Sequence, residues 1–226
     1  MQAYIHGKKK RLPRDFEGFF DRAKSAVISI DLHRGHLEDS PDCPCPAPRA
    51  REIVAAVDAF HDVARSLGVP VIHVRSVLRR GGLDDVAGTQ KSAWRLVFPL
   101  HVGDIGNADE HAIEGTRWTE FVTRVEPSDL IVQTKKRLTA FYPSDLDFLL
   151  RNLGVTAVVL NGCLTDCCIL NTAFDAGNLG YRVTVLRDLV RGSRPDLEEA
   201  ALSIVAMHTG VVADAADLAG AWMATT

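Results

Sequence analysis

Six short runs of β-branched and apolar residues recur along the chain with helix-period segments between them, and this alternation limits the possible folds more than any other feature. The runs are Ala26 to Ile30, Val69 to Val74, Leu130 to Gln133, Thr156 to Leu160, Arg182 to Leu186 and Gly210 to Ala213. The segment Ala50 to Leu67 places Ile53, Val54, Val57, Phe60, Val63, Ala64 and Leu67 at helical spacing; Ser144 to Asn152, Asp166 to Leu179 and Pro195 to Met207 read as further helices. Gly68, Gly154 and Gly180 stand where three of these helices must stop, each just before a strand, as left-handed C-terminal caps require. Runs such as AVISI and AVVL are apolar on both alternating faces, which suits a parallel sheet covered by helices on each side. The predicted fold class is therefore α/β: a three-layer α/β/α sandwich around a doubly wound, mainly parallel sheet of about six strands. Residues 25–226 read as a single domain and residues 1–24 as an N-terminal arm. The connection from Ser76 to Glu126 is long and glycine-bearing, so an excursion over the sheet edge or the mouth of a site is expected there.

Charge and cysteine usage narrow the classes of function. With 26 basic against 29 acidic side chains, the net charge of −3 supplies no field for a polyanion, which argues against a nucleic-acid partner. The basic run Lys8 to Arg11 has no apolar stretch after it and reads as a solvated arm rather than a secretory signal. No apolar run reaches the roughly 20 residues that span a bilayer, so no membrane association is expected and the expected location is cytoplasmic. Five cysteines cannot all pair within one chain. In a chain of 226 residues they indicate a reducing compartment and thiols kept for packing or chemistry.

Ligands of doubly wound sheets bind outside the carboxyl ends of the strands. The first strand ends in Asp31, followed by Leu32-His33-Arg34-Gly35-His36; the third ends in Lys135-Lys136-Arg137; the fourth runs through Asn161-Gly162-Cys163-Leu164-Thr165-Asp166-Cys167-Cys168 into a helix. A carboxylate, an ammonium and a thiol thus reach one edge. A helix N-terminus favours thiolate at Cys167 or Cys168, a carboxylate can take the thiol proton, and a lysine keeps that carboxylate ionised.

The segments AVISIDLHRGHL, TKKRLTAFYPSDLDFLLRNLGV and NGCLTDCCILNTAFDAGNLGYRVTVLRD together resemble the isochorismatase-like cysteine hydrolases. That superfamily includes nicotinamidases, N-carbamoylsarcosine amidase, maleamate amidase, ureidoacrylate amidohydrolase and biuret hydrolase. The resemblance spans Ala26 to Ala213 and implies a catalytic set of Asp31 as base, Lys135 as the family lysine and Cys168 as nucleophile. It further implies a cis peptide between Cys163 and Leu164, an oxyanion hole from the backbone N–H groups of Leu164 and Cys168, and a thioester intermediate. It implies a small-molecule amide, carbamoyl or ureido substrate, and a homodimer or homotetramer. The alternatives are a vinyl-ether hydrolase of the isochorismatase type, which the thiol disfavours, or a non-catalytic ligand- or partner-binding module of the same fold.

Nicotinamidases carry an Asp-x-His metal site after the second strand, whereas this chain reads HVRSVLRRGG, so no catalytic metal and no cofactor are expected. His33 and His36 with Cys43 and Cys45 lack zinc-ligand spacing. The residues expected to line a substrate pocket are His33, His36, Trp94, Phe141 and Arg75. Arg75, Arg79, Arg80, Lys91 and Arg95, set against Asp84 and Asp85, would favour a carboxylated substrate if their segment covers the pocket. Cys163 reads as packing, Cys43 and Cys45 as loop thiols, Cys167 and Lys136 as neighbours, and Asp166 as a helix-start partner.

Overall fold

The computed structural model describes residues 1–84 and 93–224; Asp85 and Lys91 lie outside them. Among the described residues eight strands form two sheets. β1 (Gln2–Ile5) and β2 (Lys8–Arg11) make an antiparallel hairpin. β3 (Ser25–Ile30), β4 (Val71–Ser76), β5 (Leu130–Lys135), β6 (Ala157–Cys163), β7 (Arg182–Arg191) and β8 (Gly210–Ala213) make one sheet in the order β5-β4-β3-β6-β7-β8, every pair parallel. The chain builds outward from β3 in one direction and then returns to build outward from β6 in the other. A crevice therefore opens at the carboxyl ends of β3 and β6, where connections leave for opposite sides of the sheet.

The alternation of β3 accounts for the two cores. Ala26, Ile28 and Ile30 face one side with Val158 and Leu160 of β6, and Val27 and Val159 face the other. The first core is closed by Leu146 and Leu150 of α4 (Leu146–Asn152), Ala173 and Ala176 of α5 (Leu170–Asn178), and Leu202 and Val205 of α6 (Pro195–His208). The second is closed by Val57, Phe60 and Ala64 of α2 (Val54–Ser66) and Leu218, Ala219 and Trp222 of α7 (Ala215–Ala224). A one-turn α1 (Arg34–Leu37) follows β3, and α3 (Ala93–Val102) lies in the long excursion after β4. Gly68, Gly154 and Gly180 all adopt positive φ at the helix ends, as their spacing predicts. Among the described residues no helix is long and apolar enough to cross a membrane.

The N-terminal basic run is solvent-exposed as expected, but it is a strand of a hairpin and not a loose arm. It pairs with Gln2–Ile5, Ala3 is buried against Val211 and Ala213, and Lys9 reaches Asp217 at 2.8 Å. Four polar residues in a row carry no two-residue alternation, so only the partner strand and the uncovered edge beside β8 mark them as β structure.

At the crevice, β3 and β6 approach too closely for a side chain. Gly162 pairs with Ile30 at φ +114°, and a Cβ built there would lie 2.1 Å from the Ile30 carbonyl oxygen. Backbone, not a flexible side chain, fills that space, so the strands must part to admit a methyl group. Gly162→Ala is expected to destabilise the fold by roughly 3 kcal/mol or more through strain plus overpacking. Urea denaturation measures this, and a loss below about 1 kcal/mol would show that the two strands can separate cheaply.

Candidate active site

Asp31 follows β3 directly, its backbone in the left-handed region at φ 55°. Its N–H donates to the Val74 carbonyl at 2.9 Å, and its carbonyl accepts the Cys163 thiol at 3.3 Å. A non-glycine residue in this conformation is held by its surroundings, and such residues gather at functional sites. The carboxylate is fully buried. Its Oδ1 accepts the Ser76 backbone N–H at 2.9 Å and the Ser76 hydroxyl at 3.2 Å, and its Oδ2 accepts Lys135 Nζ at 2.7 Å.

Lys135 closes β5 in register with Ser76 of β4, so the parallel ladder itself sets the two side chains together. Its ammonium is 1% exposed and donates to Asp31, to Ser76 Oγ at 2.8 Å and toward Cys168 Sγ at 3.5 Å. Burial pushes the Asp31 carboxyl up, but the Lys135 ammonium, together with His33 and His36, outweighs it and holds the group well below the usual carboxylate range. Burial likewise lowers Lys135, and Asp31 more than restores it. Both groups are therefore charged at neutral pH. Three donors surround the carboxylate and three acceptors surround the ammonium, which is what a buried ion pair needs to be tolerated.

Cys168 stands in the π-type turn Thr165–Ile169 that opens the helix running into α5. Single π turns of this kind recur at functional sites. The hydrogen bond with Cys167 and burial raise the Cys168 thiol well above its ordinary value, against the pull of Lys135, so the resting proton sits on sulfur. The peptide bond between Cys163 and Leu164 is cis, as the family resemblance implies.

Asp31, Lys135, Cys168 and Leu164 line one cavity of about 130 Å³. His36 and Trp94 line it too, as the sequence suggests, and Trp94 comes from α3, so the excursion after β4 does supply a wall. Three other expected pocket residues lie elsewhere. His33 is buried behind the cavity with Nε2 3.8 Å from Asp31 Oδ1. Phe141 packs against Tyr181, ring centroids 5.8 Å apart, within the core. Arg75 lies over the Phe121 ring at 4.8 Å and donates to the Thr119 carbonyl and to Gln133, because its β4 position sends the side chain away from the cavity. Arg95 is buried and donates to the Ala108 carbonyl, and Arg79 is held by Asp84.

Several lining residues escape sequence reasoning. Ser76 is the residue after which the second strand ends, the same rule that finds Asp31, yet a lone serine there carries no pattern. Lys136 and Arg137 line the cavity beside Lys135, with Lys136 Nζ donating to the Val77 carbonyl and Arg137 Nη1 to the Asp84 carbonyl at 2.6 Å. His111 arrives from the excursion and no local signal marks it. Cys45, a loop thiol as its position predicts, and Cys167, the neighbour of Cys168, also line the cavity. Asp166 does not cap its own helix; it accepts the backbone N–H of Ser193 at 2.7 Å and its hydroxyl, tying this turn to the end of β7. All five cysteines are free.

Comparison with known proteins agrees with this architecture. Residues 25–217 match the model of the isochorismatase domain. A maleamate amidohydrolase of Pseudomonas putida is 29% identical over 180 residues, covering 79% of this chain and 78% of the relative. A ureidoacrylate amidohydrolase of Caulobacter vibrioides is 34% identical over 207 residues, covering 88% of this chain and 92% of the relative. Among solved structures, a cysteine hydrolase from Pseudomonas syringae pv. phaseolicola superimposes with a TM-score of 0.79 at 22% identity, over 92% of this chain and 96% of that one. The match over nearly the full length, and the relatives it brings with it, establish that this chain belongs to the isochorismatase family of hydrolases.

Proposed function

We propose that the chain is an amidohydrolase that cleaves the C–N bond of a small amide, carbamoyl or ureido compound through a thioester on Cys168. The observation that carries this reading is the position of Lys135 Nζ, within 3.5 Å of both the Asp31 carboxylate and the Cys168 sulfur in a single cavity. The names of the maleamate and ureidoacrylate amidohydrolases that the chain is similar to support the same reaction class.

The roles follow from the charges. Asp31 is ionised at rest and accepts the thiol proton as Sγ bonds to the carbonyl carbon. Lys135 holds the carboxylate in place, faces the sulfur and stabilises the thiolate as it forms. The carbonyl electron pair moves onto oxygen, where the backbone N–H groups of Leu164 and Cys168 receive it. Collapse breaks the C–N bond, and the proton held by Asp31 passes to the departing nitrogen, which leaves as ammonia or an amine. Water then attacks the thioester with Asp31 again as base, releasing the acid and restoring the thiol. Vinyl-ether hydrolysis gives the buried thiol no such role, and a binding module has no need to bury a charged pair against it.

The substrate's anionic group, on this reading, meets Lys136 and Arg137 rather than the arginines of the excursion. Arg75 points away from the cavity, whereas Lys136 and Arg137 line it on the side of Leu138 and Lys135.

A screen for ammonia release across primary amides, carbamoyl compounds and ureides is expected to find turnover that Cys168→Ala abolishes and Cys167→Ala leaves largely in place. Turnover that survives Cys168→Ala would refute the thioester route. For a carboxylated substrate, Arg137→Ala is expected to raise KM by about 10-fold or more with kcat changed far less, since a hydrogen bond to a charged group contributes roughly 1.5–3 kcal/mol. An uncharged amide of the same size should lose nothing, and equal losses on both would argue against recognition of a carboxylate.

A further inference from the structure

The catalytic reading leaves one cluster unused. Behind Asp31, three fully or nearly fully buried histidines converge from two parts of the chain: His33 and His36 from the turn after β3, and His111 from the excursion after β4. One ligand nitrogen from each lies within 4.8 Å of the other two. Their rings are mutually close, with centroids 4.7 Å apart for His33 and His36 and 4.8 Å for His36 and His111.

The hydrogen bonds fix the direction of the lone pairs. His36 Nδ1 lies 2.8 Å from the Cys45 carbonyl oxygen, so Nδ1 carries the proton and Nε2 presents a lone pair. That lone pair points at His111 Nε2, 3.3 Å away. A ligating histidine characteristically donates its other N–H to a backbone carbonyl, which sets its tautomer and aims the free nitrogen at the ion. His33 Nε2 is buried without a hydrogen-bond partner, and His111 Nδ1 is also unpartnered.

The distance between two of the nitrogens suits an ion as well. The His36 and His111 Nε2 atoms are 3.3 Å apart, a separation at which one ring hydrogen-bonds the other in the metal-free chain and which equals the roughly 3.3–3.4 Å between two imidazole nitrogens bound at 2.0–2.1 Å to one tetrahedral ion. His36 and His111 also line the cavity that holds Cys168, so an ion bound by this trio would face the substrate.

We propose that His33, His36 and His111 form a divalent transition-metal site, three imidazoles around one ion with its open position toward the cavity. Three nitrogen ligands select zinc, cobalt, nickel, copper or ferrous ions over magnesium and calcium. The ligands differ in kind and place from the Asp-x-His pattern whose absence after the second strand underlies the expectation of a metal-free site. The ion serves to seat an oxygen or nitrogen of the substrate beside the thiol, with Cys168 still the nucleophile. Metal binding itself does not depend on the amide-cleaving reading, because it is read without turnover.

The test is direct metal binding. The intact chain, stripped with dipicolinate, is titrated calorimetrically with Zn²⁺ and its metal content measured, alongside Cys168→Ala, His33→Ala and His111→Ala. The expected result is one Zn²⁺ per chain, affinity within about threefold of the parent in Cys168→Ala, and a loss of at least about 100-fold in each histidine variant. Because a histidine variant can misfold, the unaltered chain is also loaded with Co²⁺. Intense visible ligand-field bands without a thiolate-to-cobalt charge-transfer band are expected for a tetrahedral nitrogen site. Absence of saturable Zn²⁺ binding by the unaltered chain would overturn the proposal. So would affinity retained in both histidine variants, or a thiolate charge-transfer band that disappears in Cys168→Ala and places the ion on the cysteines.

Discussion

The Asp31–Lys135 ion pair, 2.7 Å long and closed off from solvent, is the constraint around which the rest of the structure is arranged. Taking two charges out of water costs several kcal/mol each, and their attraction offsets that cost only when the remaining donors and acceptors are also satisfied. Ser76 meets that requirement from a single position, donating its N–H and hydroxyl to one carboxylate oxygen while its oxygen accepts from Lys135. The pairing of Ser76 with Lys135 across β4 and β5, and the left-handed turn at Asp31, hold all three groups without help from any flexible loop. A pair so complete gains little for stability over apolar side chains of the same volume. In the proposed reaction its worth lies in what it offers the third group, the Cys168 sulfur 3.5 Å from the ammonium.

On the proposed thioester route, that arrangement separates two tasks that one histidine performs in many thiol hydrolases. Asp31 remains ionised because Lys135 is beside it, and Lys135 remains ionised because Asp31 is beside it, so a proton acceptor and a positive charge stand together in a buried cavity at neutral pH. The resting thiol keeps its proton, which suits a site where charge should form only as the carbonyl arrives. The fold delivers the thiol from the opposite side of the crevice, across the close approach of β3 and β6 at Gly162. Asp166, tied to Ser193 at the end of β7, anchors the turn on which Cys168 rides.

Much of this was legible in the sequence because the controlling patterns are local. Apolar runs with glycine stops specify the strands and helices, and the residues just past a strand end specify what reaches the crevice, which is enough to name Asp31, the basic run Lys135-Lys136-Arg137 and the cysteine pair, while choosing Lys135 within its run needed the family resemblance. Separating Cys168 from Cys167 needed the family's spacing from Thr165, since both sit in the same turn. What was not legible depends on contacts far apart in the chain. His111 and Cys45 join the cavity only because the excursion after β4 and the loop before α2 fold back over it. Arg75 looked suited to a carboxylate until the sheet turned it onto Phe121, and Phe141 lies in the core although it is six residues from Lys135. The hairpin of Lys8–Arg11 had no alternation to betray it.

The claim on which the account rests is that the acyl group passes through Cys168. The most direct measurement is mass spectrometry of the enzyme acid-quenched during turnover of an amide that it hydrolyses, with peptide mapping of the adduct. The account predicts one acyl group per chain, removable by hydroxylamine, on the peptide bearing Cys167 and Cys168, retained in Cys167→Ala and absent from Cys168→Ala. An adduct that persists in Cys168→Ala, or one that maps to Cys45 or Cys163, would contradict it.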